Sequence, residues 1–153
     1  MTKKTKTSIS TSNFISSFKK LMGEGAKEFV INVNPVPASR PRVTKWGTFY
    51  GKDYEKFRRE VRNQIHSHKG KKLFGPIVAL VEIICPQPKT VERLFPRGDV
   101  DNFAKGPLDS LTSQGSFWED DDQIVLLEVV KRFVEDNEQP RICLLYTSDA
   151  ADE

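Results

Sequence analysis

The run Pro76-Ile-Val-Ala-Leu-Val-Glu-Ile-Ile-Cys85 is almost continuously apolar and rich in β-branched residues. A strand with one face in water alternates apolar and polar side chains, so a run without that alternation needs cover on both faces. The segment is therefore expected at the centre of a sheet, with other elements packed above and below it. At 153 residues the chain is long enough for one real core and too short for two.

The remaining elements are read around that strand. Lys27 to Val33 alternates and predicts a first strand, ended by Pro35 and Pro37, which cannot donate to a central ladder. Ala38 to Tyr50 predicts a basic loop running into a short strand, with a turn near Gly47. Lys52 to His68 predicts a helix whose apolar stripe is Tyr54, Phe57, Val61 and Ile65, stopped by Gly70. Pro86, Pro88 and Pro96 mark an irregular connection. Val100, Phe103, Ala104, Leu108 and Leu111 have helical spacing, with Pro107 either bending that helix or starting it. Gln123 to Val134 predicts a long strand and Arg141 to about Leu145 a last one. The order β, short β, α, β, α, β, β predicts an α+β domain over 28–144, a mixed sheet of four to five strands with two helices packed against it. Residues 1–27 are expected to form a flexible Lys/Ser/Thr-rich arm. The ending LLYTSDAADE matches no strand or helix end and reads as translated sequencing-adapter sequence, so 145–153 are expected to be a non-native tail.

The formal charge of +3 conceals an asymmetry along the chain. Pro35 to Lys72 holds eleven Lys/Arg and three Asp/Glu, whereas Gly98 to Glu138 holds eleven Asp/Glu and three Lys/Arg. A basic half can hold a polyanion, and an acidic cluster opposite it requires divalent cations to do the same. That pairing suits an enzyme acting on phosphodiesters. No apolar run has membrane-spanning length and no secretory leader is evident, so a soluble intracellular protein is expected. Cys85 and Cys143 lie inside strand-like runs without metal-ligand spacing and are read as reduced core residues.

The segment Arg97-Gly-Asp-Val-Asp-Asn-Phe-Ala-Lys-Gly-Pro-Leu-Asp-Ser-Leu111 carries the chemistry. Asp99 and Asp101 share a side only if the chain stays extended to Asp101, so the helix is expected to begin there, capped by Asp101 or Asn102. The acidic run in Trp118-Glu-Asp-Asp-Asp-Gln123 is expected to supply a third carboxylate, brought to the same end of the sheet by a helix and a short loop. Three converging carboxylates repel and call for a hard divalent cation, Mg2+ or its substitute Mn2+. Taken singly, each element has a plainer explanation: a cap, a solvated turn, or an Asp101/Lys105 helix pair contributing about 0.3 to 0.5 kcal/mol. Arg40, Arg42 and Lys45, with Lys52, Lys56, Arg58, Arg59 and Arg62, are the expected phosphate-binding surface. Trp46, Phe49 and Tyr50 are expected to pack in the core, stacking on unpaired bases being the alternative; His66 and His68 are expected to be exposed.

The ordered pattern Asp99-Val-Asp101-Asn102, Lys105, Leu108-Asp109, Leu111, Trp118-Glu-Asp-Asp121 and Gln123, followed by an apolar strand, resembles the RusA-type Holliday-junction resolvases. The resemblance spans about Lys27 to Leu144. It implies Asp99, Asp101 and Asp121 as metal-binding catalytic carboxylates, Asp121 being chosen over Asp120 and Asp122 by its distance from Gln123. It further implies Lys105 as a catalytic lysine, a homodimer, and symmetric cutting of four-way DNA junctions in recombination and repair; phage or prophage encoding is an option beside it. The alternatives are a module that binds branched DNA without cutting it and a related nuclease for other branched replication intermediates.

Overall fold

The computed structural model describes residues 11–148 apart from 24, 69 and 114–116. Residues 1–10 of the expected arm and 149–153 of the expected tail lie outside them. The elements are α1 (Thr11–Met22), β1 (Lys27–Ile31), β2 (Arg42–Thr44), β3 (Gly47–Phe49), α2 (Lys52–Ile65), β4 (Ile77–Cys85), α3 (Val100–Ser113), a single 3-10 turn (Asp121–Gln123), β5 (Ile124–Phe133) and β6 (Arg141–Ser148). The main sheet has the order β1-β6-β4-β5 and is mixed: β6 runs antiparallel to β1 and β4, and β4 runs parallel to β5. The expected α+β architecture is the one observed.

β4 is central, as its unbroken apolar run requires. Alternation of side chains across the sheet sends Ile77, Ala79, Val81, Ile83 and Cys85 into the main core, where they meet Tyr54, Phe57, Val61 and Ile65 of α2 and Phe103, Ala104, Leu108 and Leu111 of α3. On the opposite face Leu80 and Leu145 pack against Phe18 of α1, within the segment read as an arm. Two buried faces explain the missing polar alternation. Gly106 allows α2 and α3 to come close: a Cβ there would lie 3.0 Å from the Tyr54 hydroxyl and 3.2 Å from Phe57. No helix among the described residues is long and apolar enough to cross a membrane.

Several local expectations need correction. The last strand continues to Ser148, with Leu145 and Tyr146 buried, so the ending read as fitting no strand supplies one. Tyr146 packs edge-on to Phe117 and Trp118, and burial raises its pKa above the usual phenol value. Residues 42–49 form an antiparallel two-stranded ribbon rather than a loop and one strand. Trp46 is exposed, not packed in the core. His68 is half-buried, stacked on Phe117 at 4.0 Å, and burial followed by the nearby Lys27 charge lowers its pKa. Pro107 lies inside one continuous helix, which excludes a helix beginning at that residue.

Candidate active site and DNA-binding surface

The position of the carboxylates follows from strand direction. Antiparallel neighbours can be joined by a tight turn, but parallel β4 and β5 need a crossover, and α3 makes it. Ile77 is paired with Ile124 and Cys85 with Phe133, so the chain leaves β4 at one end of the sheet and enters β5 at the other. The two acidic segments therefore sit at opposite ends of α3, not at one end of the sheet as the sequence suggested. Residues 101 and 109 are about 12 Å apart along the helix axis, from the rise per residue of an α-helix.

At the N-terminal end, α3 begins at Val100 and the Asp99 carbonyl accepts the first helical bond, from Phe103 N at 3.1 Å. Asp99 thus occupies the capping position expected of Asp101 or Asn102, and Asp101 falls in the first turn. Both aspartates are exposed. Their backbone is held from two sides. Lys131 Nζ, from β5, donates to the carbonyls of Pro96 at 2.8 Å and Gly98 at 2.6 Å, and Ala38 N donates to the Asn102 carbonyl at 2.8 Å. Gly98 has φ +112, and a Cβ there would meet the Phe103 ring at 2.8 Å, so only glycine fits beside Asp99.

The C-terminal end is built from side chains. Trp118 is fully buried; its Nε1 donates to Thr112 Oγ1 at 2.8 Å, and the Thr112 hydroxyl donates to Asp121 Oδ1. Asp121 also lies within hydrogen-bonding reach of Asp109. Burial, then the charge and hydrogen bond of Asp121, push the Asp109 carboxyl above the usual range, while Lys105 and Arg58 act the other way. The Asp120 side chain instead caps the 3-10 turn, accepting from Asp122 N at 3.0 Å. Gln123 completes that capping box, its Oε1 accepting from Glu119 N and Asp120 N and its Nε2 donating to the carbonyls of Leu73 and Gly75. Of the acidic run, Asp121 is the residue turned toward α3.

Asp101, Lys105, Asp109 and Thr112 recur at intervals of four, four and three, which is one face of α3. Lys105 is exposed and stands one turn from an aspartate on either side. Among the described residues no group of three or more His, Cys, Asp or Glu is arranged to hold a metal ion. The oxygen donors fall at the two ends of α3, Asp99 and Asp101 at one and Asp109 with Asp121 at the other; because α3 already begins at Val100, the extended course to Asp101 that would put Asp99 and Asp101 on one side is not what is observed. Asp109 stood in the ordered pattern without a role of its own, and Thr112 and Lys131 were not among the expected site residues; the spacing of Asp109 and Thr112 from Lys105 is the signal that would have marked those two.

The basic residues lie along one continuous stretch. Arg40, Arg42 and Lys45 are exposed on the ribbon and its approach, two to seven residues beyond the Ala38 contact with the first turn of α3. The ribbon leads through Tyr50 into α2, where Lys52, Lys56, Arg59 and Arg62 are exposed. Arg58 is half-buried, lying over the Tyr50 ring at 5.1 Å and the Tyr54 ring at 5.8 Å, which directs its charge toward Asp109. Exposed cationic side chains along one stretch are suited to holding a phosphodiester backbone.

Comparison with known families gives one finding that bears on this arrangement: the model of the family described as endodeoxyribonuclease RusA matches residues 32–144. No curated protein matches the chain.

Proposed function

The chain belongs to the RusA endodeoxyribonuclease family, a family of Holliday-junction resolvases, and we propose that it cuts four-way DNA junctions symmetrically as a divalent-metal-dependent homodimer. The observation that carries the finer reading is the division of the carboxylates between the two ends of α3. A magnesium ion takes oxygen ligands at about 2.0 to 2.1 Å, so one ion cannot draw on both ends of the same helix. A two-fold axis crossing the exposed stripe near Lys105 sets α3 antiparallel to its copy, and Asp99 and Asp101 then face Asp109 and Asp121 of the partner subunit. The exposed β5 residues Val125, Leu126 and Leu127 supply apolar surface for such an association.

The donors are hard oxygens with access to water, which suits Mg2+ with Mn2+ as a substitute. When bound, such an ion supplies an activated water and offsets charge on the attacked phosphate, giving a 5′-phosphate and a 3′-hydroxyl. The residues of the chain position the substrate for that step. Lys105 presents its ammonium between the two acidic sets, where phosphate oxygens gain negative charge. Arg40, Arg42, Lys45, Lys52, Lys56 and Arg59 hold the DNA backbone, giving affinity that falls as salt rises and carries no base sequence. A two-fold dimer offers two such sites to a substrate that itself has two-fold symmetry.

The test is incubation of the purified protein with labelled four-way junction and with linear duplex, in magnesium, manganese or chelator. Paired cuts in the junction alone, lost in chelator, are expected. Junction binding without cutting under every condition would reduce the chain to a branched-DNA-binding module, and cutting that ignores branching or survives chelation would overturn the mechanism.

A further inference from the structure

The β2–β3 ribbon takes no part in the carboxylate sites or the core, yet it leaves three large apolar side chains in water. Every residue from Ser39 to Phe49 is exposed except the half-buried Thr44. Val43 is 77 % exposed, Trp46 80 % and Phe49 51 %. A ribbon of three residues a side is at best marginally stable in water, and leaving a tryptophan in solvent at its tip forgoes the burial that ordinarily stabilises one. The tip is nonetheless ordered by its own chain. Thr44 pairs with Gly47 across a two-residue Lys45-Trp46 turn, Thr44 Oγ1 accepts from Trp46 N and donates to the Gly47 carbonyl, each at 3.2 Å, and Gly47 supplies the positive φ of +133. Trp46 is held out in the free protein, so presenting it costs little additional order on binding.

Its neighbours indicate what covers it. Arg40, Arg42 and Lys45 flank the exposed aromatics, with Lys45 Nζ 5.2 Å from the Trp46 ring centroid. Aromatic faces interleaved with cations fit a nucleic acid whose bases are accessible, since the rings stack on bases while the cations meet phosphates. In intact duplex the base faces are covered by stacking. At the centre of a branched DNA they are not. We propose that this ribbon reads the branch: Trp46 stacks on a nucleobase face left open at the crossing point, while Arg42 and Lys45 engage the flanking phosphates. The proposal deepens the resolvase reading and rests on it. It makes Trp46 a positioning residue for junction selectivity, separate from the carboxylates.

The experiment compares the full chain with Trp46→Ala and Trp46→Phe in chelator, measuring affinity for four-way junction and for linear duplex together with sedimentation of the free proteins. The side chain is exposed and the turn bond is made by its backbone, so W46A is expected to fold and melt like the parent. Trp46→Ala should weaken junction binding about 5- to 150-fold, the range for losing one base–aromatic stack, and change duplex binding by less than about twofold. Trp46→Phe should recover most of that loss. A second readout uses the unaltered protein: Trp118 is fully buried, so acrylamide quenching reports mainly Trp46, and junction DNA should protect it where duplex does not. Equal loss on both DNAs, no loss on either, or no protection by the junction would overturn the proposal. So would a W46A change in sedimentation without a selective loss of junction affinity, which would make the ribbon a contact between copies of the chain. Failure of the unaltered protein to prefer or cut junctions would instead bring down the resolvase reading itself.

Discussion

The two ends of α3 both carry a pair of aspartates, and they are built in different ways. At the N-terminal end Asp99 and Asp101 are placed by backbone: a capping carbonyl, an obligatory glycine at 98, and Lys131 reaching from β5 to two loop carbonyls. Both side chains are left in water. At the C-terminal end Asp121 is placed by a chain of side chains, from buried Trp118 through Thr112, and is set against Asp109. The first arrangement keeps its carboxylates solvated, so they need no partner when the protein is alone. The second brings two like charges together, exposed Asp109 against half-buried Asp121, so it carries a cost that a cation would relieve.

The largest expected effect tests whether the two ends serve one site. Asp101→Asn and Asp121→Asn should each lower cutting by roughly 10^2- to 10^3-fold, the scale of losing one charge-stabilising group, while junction binding holds or tightens as a negative charge facing phosphate is removed. Mixing the two inactive proteins is the decisive step. If Asp101 of one subunit works with Asp121 of the other, a mixed dimer has one fully altered site and one intact site. Random reassortment should then restore about a quarter of the sites, seen as single nicks rather than paired cuts. If all the carboxylates of a site come from one chain, every site in the mixture is defective and no nicking returns.

That test is needed because of what the sequence could and could not disclose. The unbroken apolar run at Ile77–Cys85 made its central place legible, and the spacing of Tyr54, Phe57, Val61 and Ile65 disclosed the buried face of α2, because both patterns are local consequences of burial. The ordered aspartates, Lys105 and Trp118-to-Gln123 disclosed the family. The relative direction of β4 and β5 was not legible. A helix of this length followed by a short connection can return the chain beside its starting strand in either sense, and the outcome is set by nonlocal pairing such as Ile77 with Ile124. The exposure of Trp46 was hidden for a related reason: an aromatic next to a turn glycine looks the same whether its ribbon folds onto the core or projects from it.

A smaller effect is expected from the support of Asp121. Thr112→Val keeps the shape of the side chain but leaves the buried Trp118 Nε1 without an acceptor, which should cost about 1 to 3 kcal/mol of stability. Thermal unfolding would show this as a Tm lowered by several degrees. Thr112→Ser retains the hydroxyl and should recover most of both stability and cutting. Equal Tm values for Thr112→Val and the parent would mean that the Trp118–Thr112–Asp121 chain does not hold this end of the helix together. No corresponding loss is expected from Asp101→Asn, whose side chain is solvated.

The smallest effect is the most specific to the Asp109 and Asp121 pair. The folded pKa of Asp109 lies above its unfolded value, chiefly through burial and then through Asp121. The folded state therefore binds the Asp109 proton more tightly than the unfolded state does, and ionising the group weakens the fold. That penalty is absent below the ordinary carboxylate pKa, grows as pH rises through the raised value, and is complete above it. Asp109→Asn removes the charge and can still donate a hydrogen bond to Asp121. Its Tm should exceed that of the parent at neutral pH, and the gap should close as the solution is made mildly acid. Magnesium should narrow the same gap at neutral pH, because a cation between Asp109 and Asp121 relieves in the parent the repulsion that the substitution has already removed. An Asp109→Asn protein that is less stable than the parent at neutral pH, and whose deficit closes in acid, would reverse the sign. Asp109 would then be held as a favourable anion by Lys105 and Arg58, and the C-terminal end of α3 would match the N-terminal end in being stable when fully charged.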